Sequence, residues 1–133
     1  KLVEKAGERV RFTGYIENQK LYCYYQSADI QIIPSLWEEA AGLIAIEGML
    51  SGLPLIITKS GGMIEYAPSN VAVWIDRDNI IPNLEAAIIQ LADDKEKRKE
   101  MSELSLEQAK EFPKKKFYED YIEVFEHEGT RKR

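Results

Sequence analysis

Glu39 and Glu47 are two carboxylates with seven residues between them, set across the junction between a Pro34-Ser35 loop and an apolar run that begins near Gly42. If Gly42 opens a helix, Glu39 lies in the preceding loop and Glu47 lies about 7 Å further along the axis. One carboxylate can then meet the near end of an extended ligand while the other meets a more distant part. Between them, the backbone amides of Ala41, Gly42 and Leu43 would be free. Free N–H groups at the positive end of a helix dipole make a ready seat for a diphosphate. Gly42 lets a ligand approach that backbone closely. A glycine pair, Gly61-Gly62, follows the next apolar run and would face the same cleft. The set suits a phosphate flanked by hydroxyl-rich groups. Each part alone has a plainer reading: acidic residues favour first helical turns anyway, and Gly-Gly is turn chemistry.

The elements that would hold these residues can be read from periodicity. Arg9 to Gly14 alternates polar and apolar, as a half-buried strand does. Leu21, Tyr22, Tyr25 and Ala28 recur at helical spacing, so residues 18–28 read as a helix, with Tyr22, Tyr24 and Tyr25 as core and rim packing rather than a base-stacking cluster, and Cys23 a small buried hydrophobe. Asp29 to Ile33 is a strand stopped by Pro34-Ser35. Gly42 to Leu50 is a helix ended at Gly52, well placed as a left-handed cap. Pro54 to Thr58 and Val71 to Ile75 are further strands. Gly48 inside the helix costs roughly 0.5–1 kcal/mol relative to Ala, which signals close packing or approach. Beyond residue 80 the pattern is helical: Leu84, Ala87, Ile88 and Leu91 form one face, Met101, Leu104 and Ala109 a second, Phe117, Tyr121, Ile122 and Phe125 a third. Four strands alternating with helices give an α/β, Rossmann-like parallel sheet with flanking helices, where ligands sit beyond the carboxyl ends of the strands.

Composition narrows the function classes. The 133 residues are 44% apolar and can form one core. Eighteen basic against 23 acidic residues give a net charge of −5, which argues against a nucleic-acid partner. One cysteine and one histidine leave no disulfide framework and no zinc-type cluster. No apolar run approaches the roughly 20 residues of a membrane span, and no signal peptide is present, so a cytoplasmic location is expected. Lys114-Lys115-Lys116 and Arg131-Lys132-Arg133 could touch an anionic membrane at its inner face, although solvated positions are the simpler account. Asp93 to Glu100 reads as a solvated helix start. The chain opens at Lys1 without methionine, and Lys1 to Gly7 has the look of a helix tail, so it reads as a piece of something larger.

The ordered set Val10-x-Phe12-x-Gly14, Ala28-Asp29-Ile30, Pro34-Ser35, Glu39-x-x-Gly42-Leu43-x-x-x-Glu47, Gly52-x-Pro54 and Gly61-Gly62-x-x-Glu65 resembles the C-terminal, donor-binding domain of GT-B retaining glycosyltransferases. The group includes sucrose synthases, bacterial glycogen synthases and capsule or lipopolysaccharide transferases. The resemblance runs from about Arg9 to the C-terminal helix. It implies that residues 1–133 form a partial nucleotide-sugar-binding domain, incomplete in its first strands and separate from an N-terminal acceptor domain. It implies sugar transfer from a nucleotide-sugar, with UDP expected, to an acceptor glycan or lipid-linked sugar, with retention and usually without metal or other cofactor. Glu39 matches the catalytic-site glutamate that holds donor-sugar hydroxyls. Gly42 and Leu43 match backbone positions near sugar and diphosphate. Glu47 matches the ribose-binding glutamate, and Gly14-Tyr15-Ile16 the loop beside the base.

Departures from the family pattern bear on specificity. Ala41 stands where relatives often carry an aromatic, which would widen or alter the sugar pocket. The Arg and Lys that bind diphosphate in relatives belong to an earlier strand–helix unit, and Lys59 matches neither; the fragment alone should not turn over. Asp76-Arg77-Asp78 imitates the Asp-x-Asp of metal-dependent glycosyltransferases of the other main fold, but it directly follows a strand and reads as turn and helix-cap chemistry. Glu38 reads as plain surface, and His127 takes no role. A glycosidase pair would need carboxylates flanking one bond across a cleft, which two glutamates on one loop–helix element fit poorly. An epimerase of the same fold should carry other acid–base residues. A degenerate, non-catalytic copy retained for assembly with a partner is the alternative.

Overall fold

The computed structural model describes residues 7–38 and 42–112. Helix α1 (Asn18–Ser27) leads into strand β1 (Gln31–Ile33), then α2 (Leu43–Leu50), β2 (Leu55–Thr58), α3 (Met63–Tyr66), β3 (Ala72–Ile75), α4 (Ile80–Asp93) and α5 (Lys95–Ala109). The three strands are parallel in the order β1-β2-β3, with Ile32 opposite Ile56 and Ile56 opposite Val73. Each step across the sheet uses a helical crossover, α2 and then α3, as parallel pairing requires.

Central strand β2 is buried along its whole length, which is why Leu55-Ile56-Ile57-Thr58 is a continuous rather than alternating apolar run. Its side chains feed two cores. Leu55 and Ile57 pack with Ile33, Ala45, Met49, Met63 and Val71 on one face. Ile56 packs with Ile75, Ala87, Leu91 and Met101 on the other, under α4. Helices therefore cover both faces, the expected α/β arrangement.

Helix ends are set by specific bonds. Beyond Leu50, Leu53 N–H reaches Gly48 O at 3.0 Å and Gly52 N–H reaches Met49 O at 2.9 Å. These are the paired bonds of a Schellman cap, and Gly52 supplies the left-handed φ of 70° that it needs. The charge-dense segment does start a helix: Asp94 caps α5 by accepting from Lys97 N–H at 2.8 Å. Arg98 turns back to donate to the last carbonyls of α4, Leu91 O at 2.6 Å and Ala92 O at 2.7 Å. Buried Ser105 of α5 donates to Leu53 O at 3.0 Å, tying α5 to the turn after α2.

Two expectations are corrected. Arg9 to Gly14 is irregular rather than a strand, so the described residues hold three strands instead of four. Val10 and Phe12 stay 50% and 59% exposed: alternation prepares a face, but no described strand pairs with this segment to bury it. Cys23 is exposed, because the inner face of α1 is taken by Tyr25 and not by its neighbours. The tyrosines divide between core and rim, with Tyr25 packed on the core and Tyr22 and Tyr24 exposed. The expected helical face at Phe117 to Phe125, the basic clusters, His127 and the expected helix tail before Gly7 fall outside the described residues. No helix among the described residues is long and apolar enough to cross a membrane.

Candidate functional site

The carboxyl ends of the three strands form one lip, held by side chains from each loop. Thr58 donates through its hydroxyl to Ser35 O, and Ser60 to Trp37 O, which joins the loop after β2 to the loop after β1. From β3, Arg77 pairs with Glu38 at 2.6 Å and Asp76 with Lys59 at 2.9 Å. Asp76 and Arg77 are thus held in ion pairs to neighbouring loops, and the backbone carbonyl of Asp78 accepts from the Asn83 side chain at 3.0 Å. The capping role predicted for this segment falls instead to Asn79, the N-cap of α4, at a left-handed φ of 56° and without a side-chain cap bond. Glu38, expected as plain surface, is exposed but partnered. Lys59 is partnered as well, so neither charge is idle.

Gly42 is the N-cap of α2, and its carbonyl accepts from Ala45 N–H at 2.8 Å. The N–H groups of Leu43 and Ile44 precede any carbonyl they could use within the helix. A side chain at Gly42 would lie 2.8 Å from Met63 Cγ and 3.1 Å from Met63 Cα. Glycine here lets the start of α2 touch α3, the element that directly follows Gly61-Gly62. The structure thereby brings Gly42, Leu43 and the Gly61-Gly62 loop together. Gly61 has a φ of 44°, a turn conformation that side chains disfavour. Glu39 and Ala41 lie outside the described residues.

Glu47 is exposed on α2, slightly more than one turn beyond Leu43. Its Oε2 accepts from the phenol of Tyr25 on α1 at 2.9 Å. Both line a groove of about 380 Å³ between α1 and α2, together with Asn18, Leu21, Tyr22, Leu50 and Ser51. The Gly14-Tyr15-Ile16 loop ends just before Asn18; Tyr15 is 89% exposed. Below the pair, Gln31 of β1 is buried and donates to Ile44 O at 3.1 Å, fixing the first turn of α2 over the sheet. Sequence reading missed Tyr25 and Gln31 as site residues. A polar Gln in an otherwise apolar strand was the one available signal.

Partial burial, then the hydrogen bond and negative charge of Glu47, push the Tyr25 phenol up to about 12; Gln31 offsets this slightly. The unfolded chain releases this proton near pH 10, whereas the native state keeps it. The contribution of Tyr25 is therefore complete below about pH 10 and lost as pH rises towards 12. Ultraviolet titration of the native protein minus its Tyr25→Phe variant should show one tyrosinate forming near pH 12. A difference step at the ordinary tyrosine value would reject the contact.

The model of the family described as glycosyl transferases group 1 matches residues 2–108. The chain belongs to this family. As a group 1 domain it is 33% identical over 105 residues to the D-inositol 3-phosphate glycosyltransferase of Corynebacterium diphtheriae, covering 78% of this chain and 24% of that protein. An uncharacterised glycosyltransferase of Methanocaldococcus jannaschii is 34% identical over 68 residues, covering 50% of this chain and 17% of that one. Among solved structures, sucrose-phosphate synthase of Thermosynechococcus elongatus matches with a TM-score of 0.80 at 26% identity, over 95% of this chain and 33% of the synthase. The group 1 domain is accordingly of the GT-B C-terminal type, and it spans a third or less of these relatives' lengths.

Proposed function

We propose that this domain binds the nucleotide-sugar donor of a retaining glycosyltransferase, with a UDP-sugar as donor and a hydroxyl of a glycan or lipid-linked sugar as acceptor. The observation that carries the reading is the alignment on α2. Its amide-bearing end stands at the lip of the parallel strands, and the carboxylate of Glu47 follows along the same helix. A nucleoside diphosphate has the matching order of charge and hydroxyls.

In this reading the amides of Ala41, Gly42 and Leu43, with the Gly61-Gly62 loop, receive the diphosphate. Glu39 holds the sugar hydroxyls, Glu47 the ribose, and Gly14-Tyr15-Ile16 flanks the base. As the bond from the anomeric carbon to the phosphate oxygen breaks, the leaving group gains negative charge. Donors already aimed at that charge lower the barrier. The task falls to backbone amides and the helix dipole rather than to a metal or cofactor. The rest of the enzyme would supply the acceptor pocket and the further cations, in glycan or polysaccharide synthesis in the cytoplasm, with contact at the membrane face where the acceptor is lipid-linked.

Incubating the full-length protein with UDP-sugars and candidate acceptors should yield product with the donor's anomeric configuration, read by NMR. Glu39→Ala should retain nucleotide affinity and lose transfer. Product of inverted configuration, or transfer undiminished in Glu39→Ala, would overturn these assignments. Nucleotide binding without transfer from any donor would favour the non-catalytic alternative.

A further inference from the structure

Glu47 stands on the solvent side of α2, where a glutamate ordinarily samples many rotamers. Fixing such a side chain on a ligand costs rotamer freedom. Here that freedom is restricted before any ligand arrives. The Tyr25 ring is half-buried against the core beneath α2, and its hydroxyl donates to Glu47 Oε2 at 2.9 Å. Among the described residues no other is hydrogen-bonded to this carboxylate, and Glu47 lines the groove beside Tyr25.

We propose that Tyr25 is a positioning residue for Glu47, holding the carboxylate in the orientation that receives the ribose hydroxyls of a nucleoside diphosphate. The inference rests on the ribose role proposed for Glu47. Three features support it beyond the bond itself. The phenol is anchored, because Tyr25 packs on the core while neighbouring Tyr22 and Tyr24 are exposed. It remains a donor at every physiological pH, since its proton is held up to about 12. Both partners line the same groove, whose Asn18, Leu21 and Leu50 give it mixed polar and apolar walls of a kind that suits a nucleoside. Preorganising a binding group raises affinity by cutting the ordering cost.

The test uses the full-length protein and calorimetry. UDP, GDP and ADP are compared, and the tightest is titrated beside its 2′,3′-dideoxy form into wild type, Tyr25→Phe, Glu47→Ala and the double variant. Tyr25→Phe should weaken the ribonucleotide about three- to tenfold, the range of one net hydrogen bond. It should leave the dideoxy form unchanged and add nothing in the Glu47→Ala background. A merely structural role would weaken both ligands alike. Tyr25→Leu, also lacking the hydroxyl, should show the same split and serves if the first variant folds poorly. Unchanged affinity in Glu47→Ala would overturn the ribose reading and this inference with it. A normal ribonucleotide affinity in Tyr25→Phe, or equal losses for both ligands, beside a weakened Glu47→Ala, would overturn this inference alone.

Discussion

Glu47→Ala in the full-length protein is expected to weaken nucleoside diphosphate binding about 10- to 100-fold. A carboxylate that accepts from two vicinal hydroxyls makes charge-assisted bonds, each contributing about 1.5–3 kcal/mol. Since 1.4 kcal/mol is tenfold in affinity, even one such bond gives the lower end of that range. The loss should not come through the fold. Glu47 is exposed, and its described side-chain partner is a hydroxyl that can turn to water. Surface changes of this kind usually stay within about 0.5 kcal/mol in stability. Calorimetry and thermal melting on the same preparation separate the two effects. Affinity equal to wild type would remove Glu47 from the site, and a collapsed melting temperature would make it a folding residue instead.

The contrast between Glu47 and Tyr25 shows what a linear pattern carries. Glu47 was legible because its distance from Gly42 is set by one helix, and helical rise converts spacing into position. Tyr25 lies 22 residues earlier on another helix, and its meeting with Glu47 depends on how α1 lies beside α2. No local periodicity encodes that, so the same side chain read simply as packing. The ring does lie on the core, as packing requires, and the role proposed above belongs to the hydroxyl alone. Strand β2 could be read because burial on both faces leaves an uninterrupted apolar run, and Gly52 because a left-handed cap leaves a chemical signature. Arg9 to Gly14 misled for the complementary reason. Alternation of side chains says which face a strand would bury, but a strand also needs a neighbour's backbone, and no described strand supplies it. Cys23 misled because its burial was inferred from residue type, whereas the rotation of α1 puts it outside.

Gly48→Ala is expected to destabilise the protein by about 2 kcal/mol, against the usual helix rule. In an exposed helix interior this exchange would stabilise by about 1 kcal/mol. Here an added Cβ would lie 1.7 Å from Gln31 Oε1 and 2.9 Å from Leu55 Cδ2. Leu55 is wholly buried and has no open side to retreat to. Gln31 can withdraw only by giving up its bond to Ile44 O, which strands two polar groups beneath α2. Overpacking costs about 1–3 kcal/mol, and the unmade bond adds about 1–3 kcal/mol; together they outweigh the gain in propensity. For a domain of this size the melting temperature should fall by roughly 8 °C. A second change checks the cause: Gln31→Ala removes the obstructing oxygen, so the double variant should be more stable than Gly48→Ala alone. Such non-additivity is the mark of two side chains competing for one space. Because Gln31 also fixes the turn of α2 that precedes Glu47, nucleotide affinity should fall in Gly48→Ala and stay reduced in the double variant, which lacks that bond as well. A Gly48→Ala protein as stable as wild type would show that α2 can lift from β1 without cost, and that the buried amide does not hold the helix in place.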